Sequence, residues 1–290
     1  MNGPAPDPAS QGRPAIFDRQ ARRRHRDRAE SRFAEHDFVH AAMLDGLAER
    51  LDAVKRDFTD ILDLGSWTGG FLAPPGARVA RTDPGFAFAR ASGGVQADED
   101  RLPFADASFD CVVSAGVLDQ VDDLPGALTL ARRVLRPDGL FLAAFVGAGS
   151  FPALKAAFRA AEPDRPVARV HPQIDVRSAG DLLVRAGFAL PVADVETLDV
   201  GYPNLFRLLD DLRGMAASNA LAERHPLSRT ALARAAEAFA AAAGSDGRTR
   251  ERIDIVFLTG WSPDASQPKP ARRGSATASL AAALKDKPGT

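Results

Sequence analysis

Gly65 and Gly69 follow the apolar run Ile61-Leu62-Asp63-Leu64 in the loop Gly65-Ser66-Trp67-Thr68-Gly69-Gly70, placed where a helix should begin. A glycine in such a loop lets a ligand approach the backbone, because no Cβ holds it off. The sign is weak alone, since a tight strand-to-helix turn that binds nothing uses the same residues. Asp83 strengthens it. It lies just past the next apolar stretch, about 20 residues on, where an acid meets a ribose. One carboxylate there supplies acceptors for both vicinal hydroxyls. Thr82-Asp83-Pro84-Gly85 also reads as a plain turn capped by Asp83. Asp98, in Ala97-Asp98-Glu99-Asp100, has the chemistry to accept from an adenine amino group beside a donating backbone amide. A run of acids is equally a solvated turn, but Leu102-Pro103-Phe104 after it packs the loop back onto the sheet. Together these spacings describe a nucleoside site.

Acid–base candidates are few. Asp119, in Leu118-Asp119-Gln120-Val121, is the best placed base or substrate-orienting acid, with a helix-capping or surface role equally open. His171 and Tyr202 fall in segments able to cover a pocket, and a lone histidine before proline also suits a turn. His171 and Asp175 alone do not make a two-histidine, one-carboxylate iron site, so no metal is expected. Cys111, the single cysteine, sits in Phe109-Asp110-Cys111-Val112-Val113 and reads as an inert core thiol. A dinucleotide fingerprint requires Gly-x-Gly-x-x-Gly, and Gly65-Ser66-Trp67 lacks the second glycine.

The elements that must hold these residues follow from hydrophobic rhythm. Short apolar runs at 60–64, 77–82, 109–114 and 139–146 alternate with helical stretches, the signature of parallel strands with crossover helices. Cys111-Val112-Val113 and Leu140 to Phe145 show no polar alternation, as strands buried on both faces require. Pro125 to Leu135 reads as a helix ended by the turn residues Arg136-Pro137-Asp138-Gly139, with glycine taking the positive backbone angle. A short helix over Ser178 to Ala186, capped by Ser178 and stopped at Gly187, leads into an extended stretch from Phe188 to Val200. Helices at 203–218 and about 228–243 then precede a last strand from Ile253 to Trp261, a helical insertion in a hairpin.

Before the first strand, Phe33, Asp37-Phe38, Ala41, Leu44 and Leu47-Ala48 recur near the helical period. Arg19, Arg22, Arg23, Arg24, Arg26 and Arg28, interrupted by Asp18, Asp27 and Glu30, read as a charged helix with one solvated face. The expected organisation is a disordered lead (1–15), N-terminal helices (16–56), a ligand-binding core (57–150), a C-terminal part (151–262) with a helical insertion at 203–246, and a flexible tail (263–290).

Composition bounds the partners. With 290 residues, 45% hydrophobic, 26% charged and net charge −1, the chain is an ordinary globular one with no global field for nucleic acid or anionic membrane. No stretch approaches the roughly 18 to 20 apolar residues of a membrane span. A single cysteine and no secretory pattern point to the cytoplasm. Oligomeric state is not legible.

Asp63-Leu64-Gly65-x-x-x-Gly69, the acid after the second strand, Asp98-x-x-x-Leu102-Pro103-Phe104, Ser108-Phe109-Asp110-x-Val112-Val113-Ser114 and Leu135-Arg136-Pro137-Asp138-Gly139 together resemble the class I S-adenosylmethionine-dependent methyltransferases over about residues 55 to 150. The resemblance implies a doubly wound α/β fold with a mostly parallel, seven-stranded, Rossmann-like sheet. It makes S-adenosylmethionine the cofactor and Asp63, Gly65, Trp67, Gly69, Asp83, Asp98, Glu99 and Ser114 its binding positions. Leu124-Pro125-Gly126-Ala127-Leu128, Ile174-Asp175-Val176 with Ala186-Gly187-Phe188, Tyr202-Pro203-Asn204 with Asp211-Leu212-Arg213-Gly214-Met215, and Arg273-Gly274-Ser275-Ala276-Thr277 carry it further. They are similar to the respiratory complex I assembly factor branch, associated with arginine hydroxylation, and to the related malonyl-carrier-protein methyltransferase of biotin synthesis. The implied function is methylation of a small-molecule or protein acceptor. The alternatives are a complex I assembly factor that hydroxylates or chaperones a subunit, and a catalytically degenerate binding module. Two departures stand out. Trp67 replaces the usual middle glycine of the loop, where an indole crowds the methionine end of the cofactor. Asp119-Gln120 replaces His-Trp at a position that faces the substrate.

Overall fold

The strands form where branched and aromatic residues run without polar interruption. In the computed structural model, which describes residues 15–164 and 167–268, they are β1 (Asp60–Leu64), β2 (Arg78–Asp83), β3 (Val95–Gln96), β4 (Phe109–Ala115), β5 (Leu135–Val146), β6 (Ala189–Tyr202) and β7 (Thr249–Trp261). They make one seven-stranded sheet in the order β3-β2-β1-β4-β5-β7-β6. All neighbours are parallel except β7, antiparallel to both β5 and β6. The order reverses between β1 and β4, so the crevice beyond their carboxyl ends is where a ligand belongs in such a sheet.

Strand period two assigns residues to the two faces. Leu62, Leu64, Val112, Phe141 and Phe145 join one core, while Ile61, Cys111, Val113, Leu140 and Leu142 join the other. Helices α3 (Phe86–Ala91), α4 (Leu124–Val134) and α6 (Val176–Arg185) cover the first through Phe88, Leu128 and Leu183. Helices α2 (Phe38–Asp52), α5 (Pro152–Ala161), α7 (Leu205–Gly214) and α8 (Arg229–Ala241) cover the second through Leu47, Leu154, Leu208 and Phe239. The last two helices lie between β6 and β7, as a helical insertion in a hairpin requires. Helix α1 (Arg19–Ala29) precedes them all, joined to α2 through a 3-10 turn over Glu30–Glu35.

Several sequence expectations shift. No α-helix follows the Gly65 loop: residues 65–77 run through turns into β2. Pro74-Pro75 lack amide donors and fix their backbone angle, and Gly69-Gly70 favour open chain, so a helix cannot propagate there. Asp175, not Ser178, caps α6, accepting from the Arg177 and Ser178 amides, each at 3.0 Å. In the Pro137-Asp138-Gly139 turn the positive angle falls on Asp138 (φ +58°) rather than the glycine, and β5 already begins at Leu135 with a register irregularity opposite Phe109 and Cys111. The buried residues of α2 are Val39, His40, Met43, Gly46, Leu47 and Leu51, while Ala41 and Ala48 face solvent. Gly46 fixes that rotation, because a Cβ there would meet Phe257 at 2.5 Å. The expected lead before residue 15 and the Arg273 to Thr277 motif lie outside the described residues.

Candidate functional site

The arginine-rich segment is not a purely solvated helix. Asp18 caps α1 by accepting from the Ala21 amide at 2.9 Å, and Asp122 holds its approach by accepting from the Ile16 and Phe17 amides at 2.9 and 2.8 Å. Gln20, Arg24, Asp27 and Arg28 face solvent, as the charged-helix reading requires. Arg19, Arg22, Arg23 and Arg26, spaced three and four apart, share the opposite face and turn toward carboxylates, Arg22 and Arg26 buried and Arg19 and Arg23 partly exposed at its rim.

That face meets the acids expected to hold a nucleoside. Asp83, at the end of β2, receives Arg26 in fork geometry, Nε to Oδ1 at 2.8 Å and Nη2 to Oδ2 at 2.6 Å. The Gly85 amide donates to Oδ1 at 2.8 Å and the Trp67 amide to Oδ2 at 3.1 Å. Glu99 receives Arg22 bidentately at 2.7 and 2.8 Å, and Arg22 also reaches the Val117 carbonyl at 2.9 Å. Asp98 accepts from Arg23 at 2.7 Å and Arg19 at 3.3 Å, and Asp100 from Arg19 at 2.7 Å. Both side chains of the Arg26–Asp83 pair are buried, and burial also holds the Arg22–Glu99 pair away from water.

Trp67 closes the crevice between β1 and β4. Its indole Nε1 donates to the Ala115 carbonyl at the end of β4, 2.8 Å away, so the side chain bridges the two strand tips. Phe33 stacks on the indole with centroids 4.6 Å apart, and the Arg26 guanidinium lies 3.7 Å from its centroid. Phe88 and His40 complete the wall at 5.1 and 5.3 Å. The left-handed backbone of Trp67 (φ +49°) is what turns the ring inward. Burial and the nearby Arg26 push the His40 imidazole down to about 3, so it is neutral here.

The glycine loop is also spent on the fold. The Gly65 and Ser66 amides donate to the Thr82 carbonyl at 2.8 and 2.9 Å, and the Gly69 amide to the Ser66 carbonyl at 2.7 Å. Gly65 (φ +83°) cannot be replaced cheaply, since a Cβ would fall 2.4 Å from Val117, and Gly69 also takes a positive angle (φ +82°). Asp63 is buried in β1 with Arg81 Nε at 3.8 Å, and burial raises its carboxyl to about 7 against the pull of Arg81. The Ser114 hydroxyl donates to the Leu64 carbonyl at 2.9 Å, tying β4 to β1.

Trp67 and Phe33 form one wall of a cavity of about 350 Å³. Met43, Phe151, Leu154 and Leu212 give it an apolar lining, and its polar lining includes Asp119, Gln120, His171 and Asn219 together with the arginines Arg169, Arg213 and Arg224. Asp119 Oδ1 has no hydrogen-bond partner, and burial raises the carboxyl to about 6 while Arg22 opposes the rise. His171 Nε2 accepts from the Ala220 amide at 2.8 Å, and burial lowers the ring to about 4. That nitrogen orders the loop and is not open to a substrate proton. Tyr202 lies in the second core rather than the cavity lining.

The expected cofactor residues are therefore adjacent, but S-adenosylmethionine does not fit them as they stand. A carboxylate offers about four acceptor positions, and the two Arg26 donors with the Gly85 and Trp67 amides occupy those of Asp83. Sequence reasoning found the acids and missed their partners. The signal was present in the 19, 22, 23, 26 spacing, a single helix face of cations whose number equals that of the acids 83, 98, 99 and 100.

A methyltransferase domain profile matches residues 62–143. The chain is 33% identical over 284 residues to the arginine-hydroxylase NDUFAF5, mitochondrial, of Danio rerio, covering 92% of this chain and 88% of that protein. It is 32% identical over 264 residues to a malonyl-[acyl-carrier protein] O-methyltransferase of Laribacter hongkongensis, covering 82% of this chain and 88% of the relative. The crystal structure of a putative methyltransferase from Bacillus halodurans superposes with a TM-score of 0.53 at 14% identity, over 76% of this chain and 99% of the other, a likeness of fold alone.

Proposed function

The chain belongs to the class I S-adenosylmethionine-dependent methyltransferase family, and from that premise we propose that it is an S-adenosylmethionine-dependent enzyme whose acceptor enters the cavity at Asp119. The observation that carries the reading is the Asp119 carboxylate, half-buried, facing the cavity, with Oδ1 lacking a partner. A carboxyl raised to about 6 is mostly ionised at neutral pH yet basic enough to take a proton. It suits an acceptor bearing an N–H or O–H on a carbon stem, the stem lying against Met43, Phe151 and Leu154. Such a group belongs to a polar protein side chain or a small molecule, and the formal charge of −1 gives no support to a nucleic-acid acceptor. No described helix is long and apolar enough to cross a membrane, and the lone buried thiol of Cys111 accords with a reducing, cytoplasmic setting.

A second reading rests on a separate observation: the likeness to the arginine-hydroxylase relatives runs over nine-tenths of the chain, well beyond the methyltransferase domain match. In it the acceptor is an arginine on a respiratory complex I subunit, and the group added is a hydroxyl. Mass spectrometry of a deletion strain, complemented with wild type or Asp119→Asn, separates the two. A methyl increment lost on deletion, and restored about 100-fold less by Asp119→Asn, supports methyl transfer. A hydroxyl increment on arginine supports the second reading. An unchanged set of modifications in the deletion strain removes both.

A further inference from the structure

The disagreement between the acids and the cofactor they are expected to hold has a specific cause. Every acceptor position of Asp83 is taken, two of them by a guanidinium on α1. Arg26 thus makes the pair of hydrogen bonds a ribose diol would make, and the two cannot bind Asp83 together. The same helix engages Asp98, Glu99 and Asp100 through Arg23, Arg22 and Arg19. Trp67 and Phe33 stack in the crevice under the same guanidinium, and Trp67 spans from the β1 loop to Ala115.

We infer that α1 is a built-in occupant of the nucleoside site, a latch whose arginines and S-adenosylmethionine are mutually exclusive, so that cofactor enters only when α1 lifts. The inference rests on S-adenosylmethionine being the cofactor proposed above. The latch has the parts to move as a unit. Its far end passes into the 3-10 turn Glu30–Glu35, and its near end is held by Asp122 and by the Asp18 amide donating to the Ala220 carbonyl at 2.8 Å. Residue 220 lies beside Ser218 and Asn219, which line the acceptor cavity. An acceptor that displaces this loop therefore loosens the latch, coupling the two sites. The apparent affinity for cofactor is the intrinsic affinity reduced by the fraction of molecules with α1 lifted.

Titration calorimetry with S-adenosylmethionine and with S-adenosylhomocysteine, on the full chain as wild type, Arg26→Gln and Arg22→Gln/Arg26→Gln, tests this alongside hydrogen exchange over residues 19–29. The wild type is expected to bind weakly, and the double variant about 10-fold or more tighter, because loosening the latch raises the competent fraction. Saturating ligand is expected to remove exchange protection from wild-type α1, a readout independent of activity and of whether the variants fold. Tight binding to wild type with α1 protection undiminished overturns the latch and leaves the cofactor proposal standing. Binding by neither wild type nor folded variants overturns both.

Discussion

Trp67 shows how one residue commits a loop. In the left-handed region a bulky side chain costs about 1–2 kcal/mol, offset here by the Phe33 stack, the Arg26 cation over the ring and the Ala115 hydrogen bond. Trp67→Gly relieves the backbone but empties the crevice. A net loss of about 1–4 kcal/mol in urea unfolding is expected from the usual cost of truncating a buried aromatic less that relief. A variant as stable as wild type would mean the indole is not part of the core. Asp63 gives a pH signature. Burial raises its folded carboxyl from 3.8 to about 7, so the native state holds this proton across a window where the unfolded chain has lost it. Its contribution is therefore fully present below pH 3.8 and is lost as pH rises through about 7. His40, lowered from 6.5 to about 3, slopes the other way. The difference between wild type and Asp63→Asn cancels the His40 part: the variant is expected to gain stability relative to wild type from pH 4 to pH 7, and a pH-independent difference would contradict it. From the sequence, Trp67 could be read as an irregularity in the loop but not as its floor, because the residues that make it so, Phe33 and Arg26, come from a helical segment far away in sequence.

Among the elements, α1 and the β1–β2 connection explain why the site departs from expectation. Charges were legible along Arg19 to Arg28, but exposure was not. Arginine is ordinarily a surface residue, and Arg22 and Arg26 are buried only because carboxylates wait for them. Removing one partner of such a pair strands the other, so Arg26→Met is expected to cost about 3–5 kcal/mol in unfolding free energy, whereas Arg26→Met combined with Asp83→Asn costs less than the single change. Additive losses in that double-mutant cycle would show that the two side chains do not interact. The missing helix after Gly69 was half-signalled by Pro74-Pro75. The caps were less readable: Asp175 and Ser178 are both good cap residues, and only the fold decides that Asp175 takes the amides. Element identity held well for the sheet, because runs such as Cys111-Val112-Val113 and Leu140 to Phe145 leave no other reading for a strand buried on both faces.

For the whole molecule, the strand order places the crevice at β1 and β4, and the chain uses its own N-terminal helix to fill it. The cavity at Asp119 lies next to that crevice, sharing Trp67 and Phe33 as a wall. Tertiary pairings between residues some 60 to 80 apart, such as Arg26 with Asp83 and Arg22 with Glu99, are set by topology and not by local pattern. This is why the acids 83, 98 and 99 were legible as a group from sequence and their pairing with α1 was not. The most direct measurement is the nitrogen-15 spectrum of the arginine side chains in the full chain. The account predicts a slowly exchanging Arg26 Nε–H in the free protein that is lost when S-adenosylhomocysteine saturates the site. A rapidly exchanging Arg26 Nε–H in the free protein, or one that persists unchanged in the saturated complex, would contradict it.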